Sequence, residues 1–535
     1  ANFACTGIVG GGIPHAVGAG LAYKKLGSGA VAVAEFGEGA SNQGSFHEAL
    51  NMAGLWKLPC VFVCQDNNYG ISVNKANSTA VASVAERASG YGMPGVRVTE
   101  NDPDLIFAAV GEAVARARAG EGPTLLEVKV DRLYGHFQGD PETYRPKGEV
   151  ESLRKKDSLA AYESRLKANG VATDSVVTEI RGRGKMRTEA AIVRARQSDY
   201  PPAAEAFQHV FQQEMERDPS VICMGEDVGK MGGVFQSTAG LHKKFPDRII
   251  DTPISETAIM GATLGAAASG LRPIAELMFV DFMGVCFGQI MNEIGKATYM
   301  SGGAVRLPLV ITASTGGGFS DAAQHSQTLH GLFAHVPGLK VVAPSNPYDA
   351  KGLMITAIRD DNPVVFLFHK AMLGLPVLGY VDVSIDDHVP AEPYTVPFGK
   401  ARIVREGTDL TIVGFSQTVQ KAAIAADRLA EKGISAEVID PRTLVPLDVD
   451  AIVASVQKTG RLLVVDEDYL NFGMTGEISA LIAERLDEIK LRAPIRRLGV
   501  AGVSIPYSPA LEKVVIPQVD HVIEAAERLV TSRVL

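Results

Sequence analysis

The chain has 535 residues, a hydrophobic content of 46% and a formal net charge of −9 at pH 7. This length exceeds what one hydrophobic core usually serves, so we expect roughly two to four domains. The acidic balance argues against a nucleic-acid-binding surface, and the lack of a long apolar run or signal-peptide pattern argues against a membrane or secreted protein.

The five cysteines include no Cys-x-x-Cys pair, which argues against a disulfide framework or a zinc site. Cys60 and Cys64 lie in the apolar run LPCVFVC and are interpreted as buried strand residues. A reducing compartment, the cytoplasm, is therefore expected. The chain starts inside a Gly-rich motif without a methionine, so we expect the natural polypeptide to begin further upstream.

Changes of pattern divide the chain into four stretches, at residues 1–156, 157–211, 212–390 and 391–535. The first, third and fourth stretches alternate strand-like apolar runs, such as AVAVAEF and CVFVCQ, with helix-like runs, such as SFHEALNMAGLW. This alternation is typical of parallel sheets covered by helices. The second stretch is polar and helical, with a break expected at the glycines of RGRGKMR, and is interpreted as a linker.

Two polar loops follow neighbouring strands of the first stretch. Residues 37–40, Gly-Glu-Gly-Ala, come directly after one strand, and residues 66–70, Asp-Asn-Asn-Tyr-Gly, come after the next. In a parallel sheet both loops would lie at the carboxyl edge, where such folds bind ligands. Glycines and a helix start suit a phosphate, and converging oxygens suit Mg²⁺. The alternative for Asp-Asn-Asn is an ordinary turn.

The segments GEGASNQGSFHEALNMAGLWKLP and DNNYGIS resemble the thiamine-diphosphate motif in alpha subunits of 2-oxo acid dehydrogenases. The resemblance implies that a carboxylate, an amide and a backbone carbonyl ligate Mg²⁺, while backbone atoms of the Gly-rich segments contact the diphosphate and the aminopyrimidine. The metal ligands would be Glu38, Asn67 and the carbonyl of Tyr69, the diphosphate contacts Gly37, Gly39 and Ala40, and the aminopyrimidine contacts Gly7 and Val9.

The run YGHFQGDP at 134–141 resembles the active-site loop of the same family, whose histidine, here His136, contacts the cofactor and assists proton transfer. One position departs from the family, which has aspartate where this chain has Glu38. The extra methylene moves the carboxylate by roughly a bond length, and Mg²⁺ tolerates little deviation from about 2.1 Å. We therefore expect a shifted backbone or a looser cation such as Mn²⁺.

The second half contains DTPISE, which ends at Glu256 and follows the strand-like run RII. By itself, a glutamate near a strand end is as typical of a solvated loop residue or a helix cap as of a functional residue. From Gln212 to the C-terminus, however, the chain resembles the beta subunit of the same family. There the glutamate hydrogen-bonds the pyrimidine nitrogen of the cofactor and stabilises the imino form that removes the thiazolium proton.

Other residues of the second half match the same family. Met278 and Phe282 in ELMFVDFMG match positions that pack on the pyrimidine, although an ordinary core strand and helix would read the same way. His325 in DAAQHSQ lies in a polar loop and matches an acid/base near the substrate. Asp360 and Asn362 match a structural potassium site in some relatives, and are also typical of a plain turn.

The predicted fold class is α/β, with two thiamine-diphosphate-binding-type parallel-sheet domains and a domain resembling the transketolase C-terminal domain, which serves subunit contacts more than chemistry. AELMFVDFMGVCF and YGHFQGDPETYR most resemble the acetoin dehydrogenase branch. This resemblance implies cleavage of acetoin and transfer of an acetyl group to lipoyl on a partner acyltransferase. Because relatives assemble the cofactor site from alpha-like and beta-like domains of different subunits, we expect at least a homodimer.

Three alternatives stay open. The first is a pyruvate or branched-chain 2-oxo acid dehydrogenase component. The second is an enzyme of the transketolase or deoxyxylulose-phosphate-synthase type, against which AAQHSQ and GHFQGDP argue. The third is a non-catalytic scaffold, favoured by the start of the chain, by Glu38 and by the short junction at 207–213.

Overall fold

The structure is a computed structural model that describes residues 9–136, 140–195, 208–372 and 389–532. The chain divides into two compact units. The first unit consists of Ala1–Asp199 and Asp251–Ser255, and the second of Tyr200–Ile250 and Glu256–Leu535.

The first unit is built around one small sheet with helices packed against it. Its strands are β1 (Ala32–Gly37), β2 (Cys60–Asp66), β3 (Tyr69–Gly70), β4 (Val73–Asn74), β5 (Gly95–Val98) and β6 (Thr124–Lys129). Its helices are α1 (Gly12–Leu26), α2 (Gly44–Leu55), α3 (Lys75–Ser78), α4 (Pro103–Arg118), α5 (Glu149–Arg154), α6 (Ser158–Ala168) and α7 (Asp174–Ala195).

The main sheet of the first unit has the order β1-β2-β6-β5, and all its pairs are parallel. Strand β2 is buried along almost its whole length, including Cys60 and Cys64 as predicted, because helices cover both faces of the sheet. Gly37 at the end of β1 pairs in register with Gln65 near the end of β2. The two polar loops therefore start side by side at one edge, as predicted.

Helix α7 corrects one prediction, because it runs without interruption through RGRGKMR, where a break was expected. A glycine inside a helix costs only about 1 kcal/mol relative to alanine and does not by itself end the helix. Pairs four residues apart offset part of that cost, including Arg183 with Glu179 at 3.0 Å and Lys185 with Glu189 at 3.7 Å. The polar pattern correctly predicted a helix, but the predicted break within that helix was wrong.

The second unit contains two larger sheets. Its strands are β7 (Val221–Gly225), β8 (Ile249–Asp251), β9 (Arg272–Phe279), β10 (Val310–Thr315), β11 (Lys340–Val342), β12 (Val364–His369), β13 (Arg402–Arg405), β14 (Leu410–Gly414), β15 (Ala436–Asp440), β16 (Thr443–Val445), β17 (Leu462–Tyr469) and β18 (Arg496–Val500). Its helices are α8 (Gln208–Arg217), α9 (Leu241–Lys244), α10 (Glu256–Ala268), α11 (Ala297–Met300), α12 (His330–Ala334), α13 (Pro347–Arg359), α14 (Gln417–Ala430), α15 (Val449–Thr459), α16 (Met474–Ala483), α17 (Pro509–Val515) and α18 (Val519–Thr531).

One sheet of the second unit has seven strands in the order β16-β11-β12-β10-β9-β7-β8, and the other has five in the order β13-β15-β14-β17-β18. The pairs at the centre of both sheets are parallel, whereas β16 and β13 each pair antiparallel at an edge. Strand β16 comes from the C-terminal stretch but completes the seven-stranded sheet. The two sheets are thus joined within one unit.

A single hydrophobic cluster connects these sheets, with Leu277 and Ile311 from the seven-stranded sheet and Val413 and Val464 from the five-stranded one. Interior strands such as β10, β12 and β14 are buried at every residue, which explains their continuous apolar runs. The predicted α/β fold class with parallel sheets is confirmed. Within the described ranges, every helix is too short or too polar to cross a bilayer.

Candidate active site

Glu38 begins the 3-10 turn Glu38–Asn42 directly after β1, and its side chain is 1% exposed. The Oε2 atom accepts a hydrogen bond from the Asn67 N–H at 3.2 Å. The Oε1 atom is buried and has no hydrogen-bond donor among the described residues. Burial raises the pKa of Glu38 above its ordinary value. A buried carboxylate oxygen without a partner is unfavourable, so this position fits a cation.

The loop after β2 has a fixed shape that turns Asn67 towards Glu38. Asp66 accepts hydrogen bonds from the Asn68 N–H at 2.9 Å and from the Lys75 ammonium at 2.7 Å. The Asn67 Oδ1 atom accepts from the Tyr69 N–H at 3.2 Å. Asp66 therefore acts as an anchor of the loop, while Asn67 and Tyr69 lie beside the Glu38 carboxylate.

Gly39 allows the backbones of the two loops to approach each other closely. A Cβ atom at Gly39 would lie 3.1 Å from Ile254 Cδ1 and 3.4 Å from the Cα of Gly70. A side chain here would displace the tip of Ile254 and fill the space beside Gly70, whereas glycine leaves the peptide groups accessible. The donor set of carboxylate, amide and backbone oxygens, together with this open backbone, fits Mg²⁺ and a diphosphate.

The remaining predicted residues of the first unit lie in more open surroundings. Val9 is 38% exposed, and Gly7 lies outside the described residues, as do Phe137 and Gly139 of the predicted active-site loop. His136 is exposed, and its backbone N–H donates to Asp140 Oδ2 at 2.8 Å. Desolvation, followed by the charge of Arg132, lowers the pKa of His136. The imidazole is therefore favoured in its neutral form.

In the second unit, Glu256 is the first residue of α10, with a side chain that is only 4% exposed. A carboxylate at a helix N-terminus is stabilised by the helix dipole. The Thr257 hydroxyl donates to the carbonyl of Val285 at 3.3 Å, which holds the start of α10 beside the turn that follows β9. Burial, and secondly the charge of Glu256, raise the pKa of the Cys286 thiol to about 12.

His325 packs between two phenylalanine rings, with centroid distances of 4.9 Å to Phe279 and 5.4 Å to Phe282, both edge-on. Met278 is buried next to Phe279 and adopts a φ of 41°. Burial, with a smaller contribution from Lys370, lowers the pKa of His325. We name Phe279, Phe282 and His325 the His325 cluster. The structure thus brings the predicted Phe282 and His325 together.

Lys370 supports this cluster and was missed by sequence reasoning. Its ammonium donates to Asp321 Oδ2 at 2.9 Å and to the carbonyl of His325, and it lies 5.4 Å from the centroid of the Phe279 ring. The side chain is fully buried. Lys370 directly follows the buried apolar strand β12. A charged residue at the end of such a strand is the signal that could have revealed it.

Two glutamates of the C-terminal stretch hold the loop that leads to His325, and sequence reasoning missed both. The N–H of Gly317 donates to Glu467 at 2.6 Å. Glu512 accepts from the N–H of Gly318 at 2.8 Å and from that of Ser320 at 3.1 Å. The stretch expected to serve subunit contacts more than chemistry therefore also positions this loop. The run of three glycines at 316–318 was the sequence signal for this loop.

The residues matched to a potassium site form a turn. Asp360 Oδ1 accepts from the backbone N–H of Asn362 at 2.9 Å and from its side-chain amide at 3.0 Å. The ammonium of Lys340 forms an ion pair with Asp360 Oδ2. A lysine at this carboxylate competes with any cation there, and a potassium site stays a prediction.

Comparison with protein families divides the chain into three parts. Residues 3–204 match the family described as dehydrogenase E1 component. Residues 200–376 match the transketolase pyrimidine-binding domain, and residues 399–522 match the transketolase C-terminal domain. The E1 and transketolase domains imply thiamine diphosphate as the cofactor.

Individual relatives match about three fifths of this chain over almost their own whole length. The beta subunit of the acetoin:2,6-dichlorophenolindophenol oxidoreductase of Cupriavidus necator is 48% identical over 60% of this chain and 95% of its own. From Bacillus subtilis, the 2-oxoisovalerate dehydrogenase beta subunit is 44% identical over 61% and 96%, and the pyruvate dehydrogenase E1 beta subunit 41% over 61% and 97%. A solved structure described as a split-gene transketolase, an inactive beta4 tetramer, superposes with a TM-score of 0.51 at 25% identity, covering 62% of this chain and 98% of that one.

Proposed function

The chain belongs to the E1 component family of thiamine-diphosphate-dependent dehydrogenases, with alpha-like and beta-like parts in one polypeptide, and we propose that it cleaves acetoin. The acetyl group would pass to a lipoyl group on a partner acyltransferase. Two of the similar beta subunits are acetoin oxidoreductases, which supports this substrate. Relatives named as subunits and E1 components support assembly into a multienzyme complex.

The observation that supports thiamine-diphosphate chemistry in this chain is the buried Glu38 carboxylate beside the Asn67–Tyr69 turn, with one oxygen that lacks a donor among the described residues. Glu38, Asn67 and the Tyr69 carbonyl would hold Mg²⁺, and the backbone of Gly39 and its neighbours would bind the diphosphate. When bound, thiamine diphosphate supplies an electron sink for cleaving the bond next to a carbonyl group.

Two residues of the second unit have properties that suit proton handling. Glu256 is buried in the first turn of a helix, and its carboxyl group can share a proton with a ring nitrogen of the pyrimidine. His325 is favoured in its neutral form because burial lowers its pKa. Cleavage of acetoin releases acetaldehyde only when the substrate hydroxyl loses its proton, and a neutral imidazole can take that proton.

A dye-reduction assay with added Mg²⁺ and thiamine diphosphate tests the substrate. We expect a higher kcat/KM with acetoin than with pyruvate or a branched 2-oxo acid, and no turnover when the cofactor is left out. Faster turnover of pyruvate or a branched 2-oxo acid would reject acetoin as the substrate. Calorimetric titration with Mg²⁺ and cofactor separates an enzyme from a scaffold, because a scaffold need not bind either.

The second candidate is a 2-oxo acid dehydrogenase component acting on pyruvate or a branched substrate. Identities of 44% and 41% to the 2-oxoisovalerate and pyruvate enzymes of Bacillus subtilis favour it. In either case we propose that two fused chains form a homodimer.

A further inference from the structure

Asp281 belongs to the 3-10 turn Val280–Gly284, which begins immediately after β9. It stands in the sequence between Phe279 and Phe282, whose rings both contact His325. Asp281 and His325 also interact electrostatically, since the carboxylate favours the charged form of the imidazole and the imidazole favours that of the carboxylate. Asp281 therefore shares the surroundings of the proposed acid/base.

The two oxygens of Asp281 are in different situations. The Oδ1 atom accepts from the Gln327 side-chain amide at 2.7 Å, and the Tyr469 hydroxyl donates to the other end of that amide at 3.3 Å. This chain of contacts fixes the orientation of the carboxyl group. The Oδ2 atom is buried and has no donor among the described residues. Burial raises the pKa of Asp281, because desolvation outweighs the hydrogen bond from Gln327.

The nearby cation is already engaged. Lys370 acts electrostatically on Asp281 and His325, but its ammonium donates to the Asp321 carboxylate and to the carbonyl of His325. The Oδ2 atom is thus an acceptor without a partner, next to partly exposed aromatic rings. A ligand group that donates a hydrogen bond would satisfy it, and an anionic group would be repelled.

This distinction matches the difference between the two candidate substrate classes. An α-hydroxyketone carries a hydroxyl on the carbon next to its carbonyl, whereas a 2-oxo acid carries a carboxylate there. A hydroxyl can donate to a carboxylate oxygen, and a second carboxylate cannot. A site built to hydrogen-bond a substrate hydroxyl discriminates strongly against analogues without it.

We propose that Asp281 is a specificity-determining residue, whose Oδ2 accepts a hydrogen bond from the hydroxyl group of an α-hydroxyketone and whose charge disfavours 2-oxo acids. The inference rests on the proposed function and deepens it, since it assigns the choice of substrate class to one side chain.

The test compares Asp281→Asn with the wild-type chain, using acetoin and pyruvate in the dye-reduction assay. The substitution keeps the size of the side chain and removes its charge. We expect kcat/KM for acetoin to fall about 10- to 100-fold, the scale of a hydrogen bond to a charged group, while that for pyruvate stays constant or rises. Butanone, which lacks the hydroxyl, should inhibit both proteins equally, because it makes no bond to lose.

Asp487→Asn is the matched control, since it removes the same charge from an exposed position of the second unit. Asp281→Ser serves as a second uncharged variant if the asparagine variant does not fold, and should show the same shift. Wild-type preference for pyruvate would overturn the proposed function and this inference together. Wild-type preference for acetoin with an unchanged acetoin-to-pyruvate ratio in the variants would overturn only the role of Asp281.

Discussion

Glu256 combines burial with a position at the first turn of α10, where the helix dipole favours the carboxylate. Glutamine at this position keeps the shape of the side chain but neither carries a charge nor accepts a proton. We expect Glu256→Gln to fold and to bind cofactor, and to lower turnover on the order of 1,000-fold. Turnover reports the loss, while thermal unfolding and calorimetric titration with cofactor serve as controls. Near-normal turnover would remove Glu256 from catalysis.

Glu38 is the position at which this chain departs from the aspartate of the family it resembles. The turn Glu38–Asn42 keeps Oε2 on the Asn67 N–H and leaves Oε1 buried and without a donor. The Glu38 carboxylate thus contacts the second loop through the Asn67 N–H. The motif alone predicted the residue and its neighbours, but the hydrogen bond to Asn67 depends on the bend of both loops, which no spacing in the sequence encodes.

At the scale of elements, α17 and the loop before His325 depend on each other through Glu512. Glu512 is 3% exposed and accepts from two N–H groups of that loop, those of Gly318 and Ser320. In Glu512→Gln one of these N–H groups faces an amide NH₂ instead of an oxygen. We expect faster hydrogen exchange of the Gly318 and Ser320 amides and about tenfold lower turnover with every substrate.

Glu488→Gln, an exposed change in the same unit, is the control for that experiment and should alter neither measurement. Glu512→Asp keeps the charge, so it should restore part of the protection of the loop amides from hydrogen exchange. Unaltered exchange of the loop amides in Glu512→Gln would show that the carboxylate does not hold the loop.

Elements of regular pattern were predictable, and contacts between distant elements were not. The apolar runs of β2, β10 and β12 indicated buried strands because parallel interior strands are covered on both faces. The break expected in α7 was wrong, because a glycine inside a helix costs only about 1 kcal/mol and ion pairs along the helix offset part of that cost. Glu467 and Glu512 lie more than a hundred residues beyond the loop they bind, so only the tertiary fold reveals their role.

Two carboxyl groups of the second unit, those of Glu276 and Asp440, are buried and have raised pKa values. Burial raises the pKa of Glu276 on β9 from 4.5 to about 7, and that of Asp440 on β15 from 3.8 to about 6. Ser237 donates to Glu276 at 2.6 Å, and the N–H of Arg442 donates to Asp440 at 2.7 Å, but neither contact compensates for desolvation. Each group binds its proton more tightly in the folded state than in the unfolded chain.

The sign of the resulting pH dependence follows from linkage. A carboxyl group whose pKa is raised on folding leaves stability unaffected below its unfolded pKa and lowers it as pH rises towards the folded pKa. For Glu276 the full effect above about pH 7 is at most about 3 kcal/mol, at 1.36 kcal/mol for each pKa unit.

We expect the Tm of the second unit to rise by several degrees as the pH falls from about 8 to about 5.5. Scanning calorimetry of Glu276→Gln/Asp440→Asn should show a flatter pH profile and a higher Tm at pH 8, because both uncharged side chains keep their hydrogen-bond acceptors. A double variant whose Tm follows the same slope as the wild type would place the pH dependence in other groups.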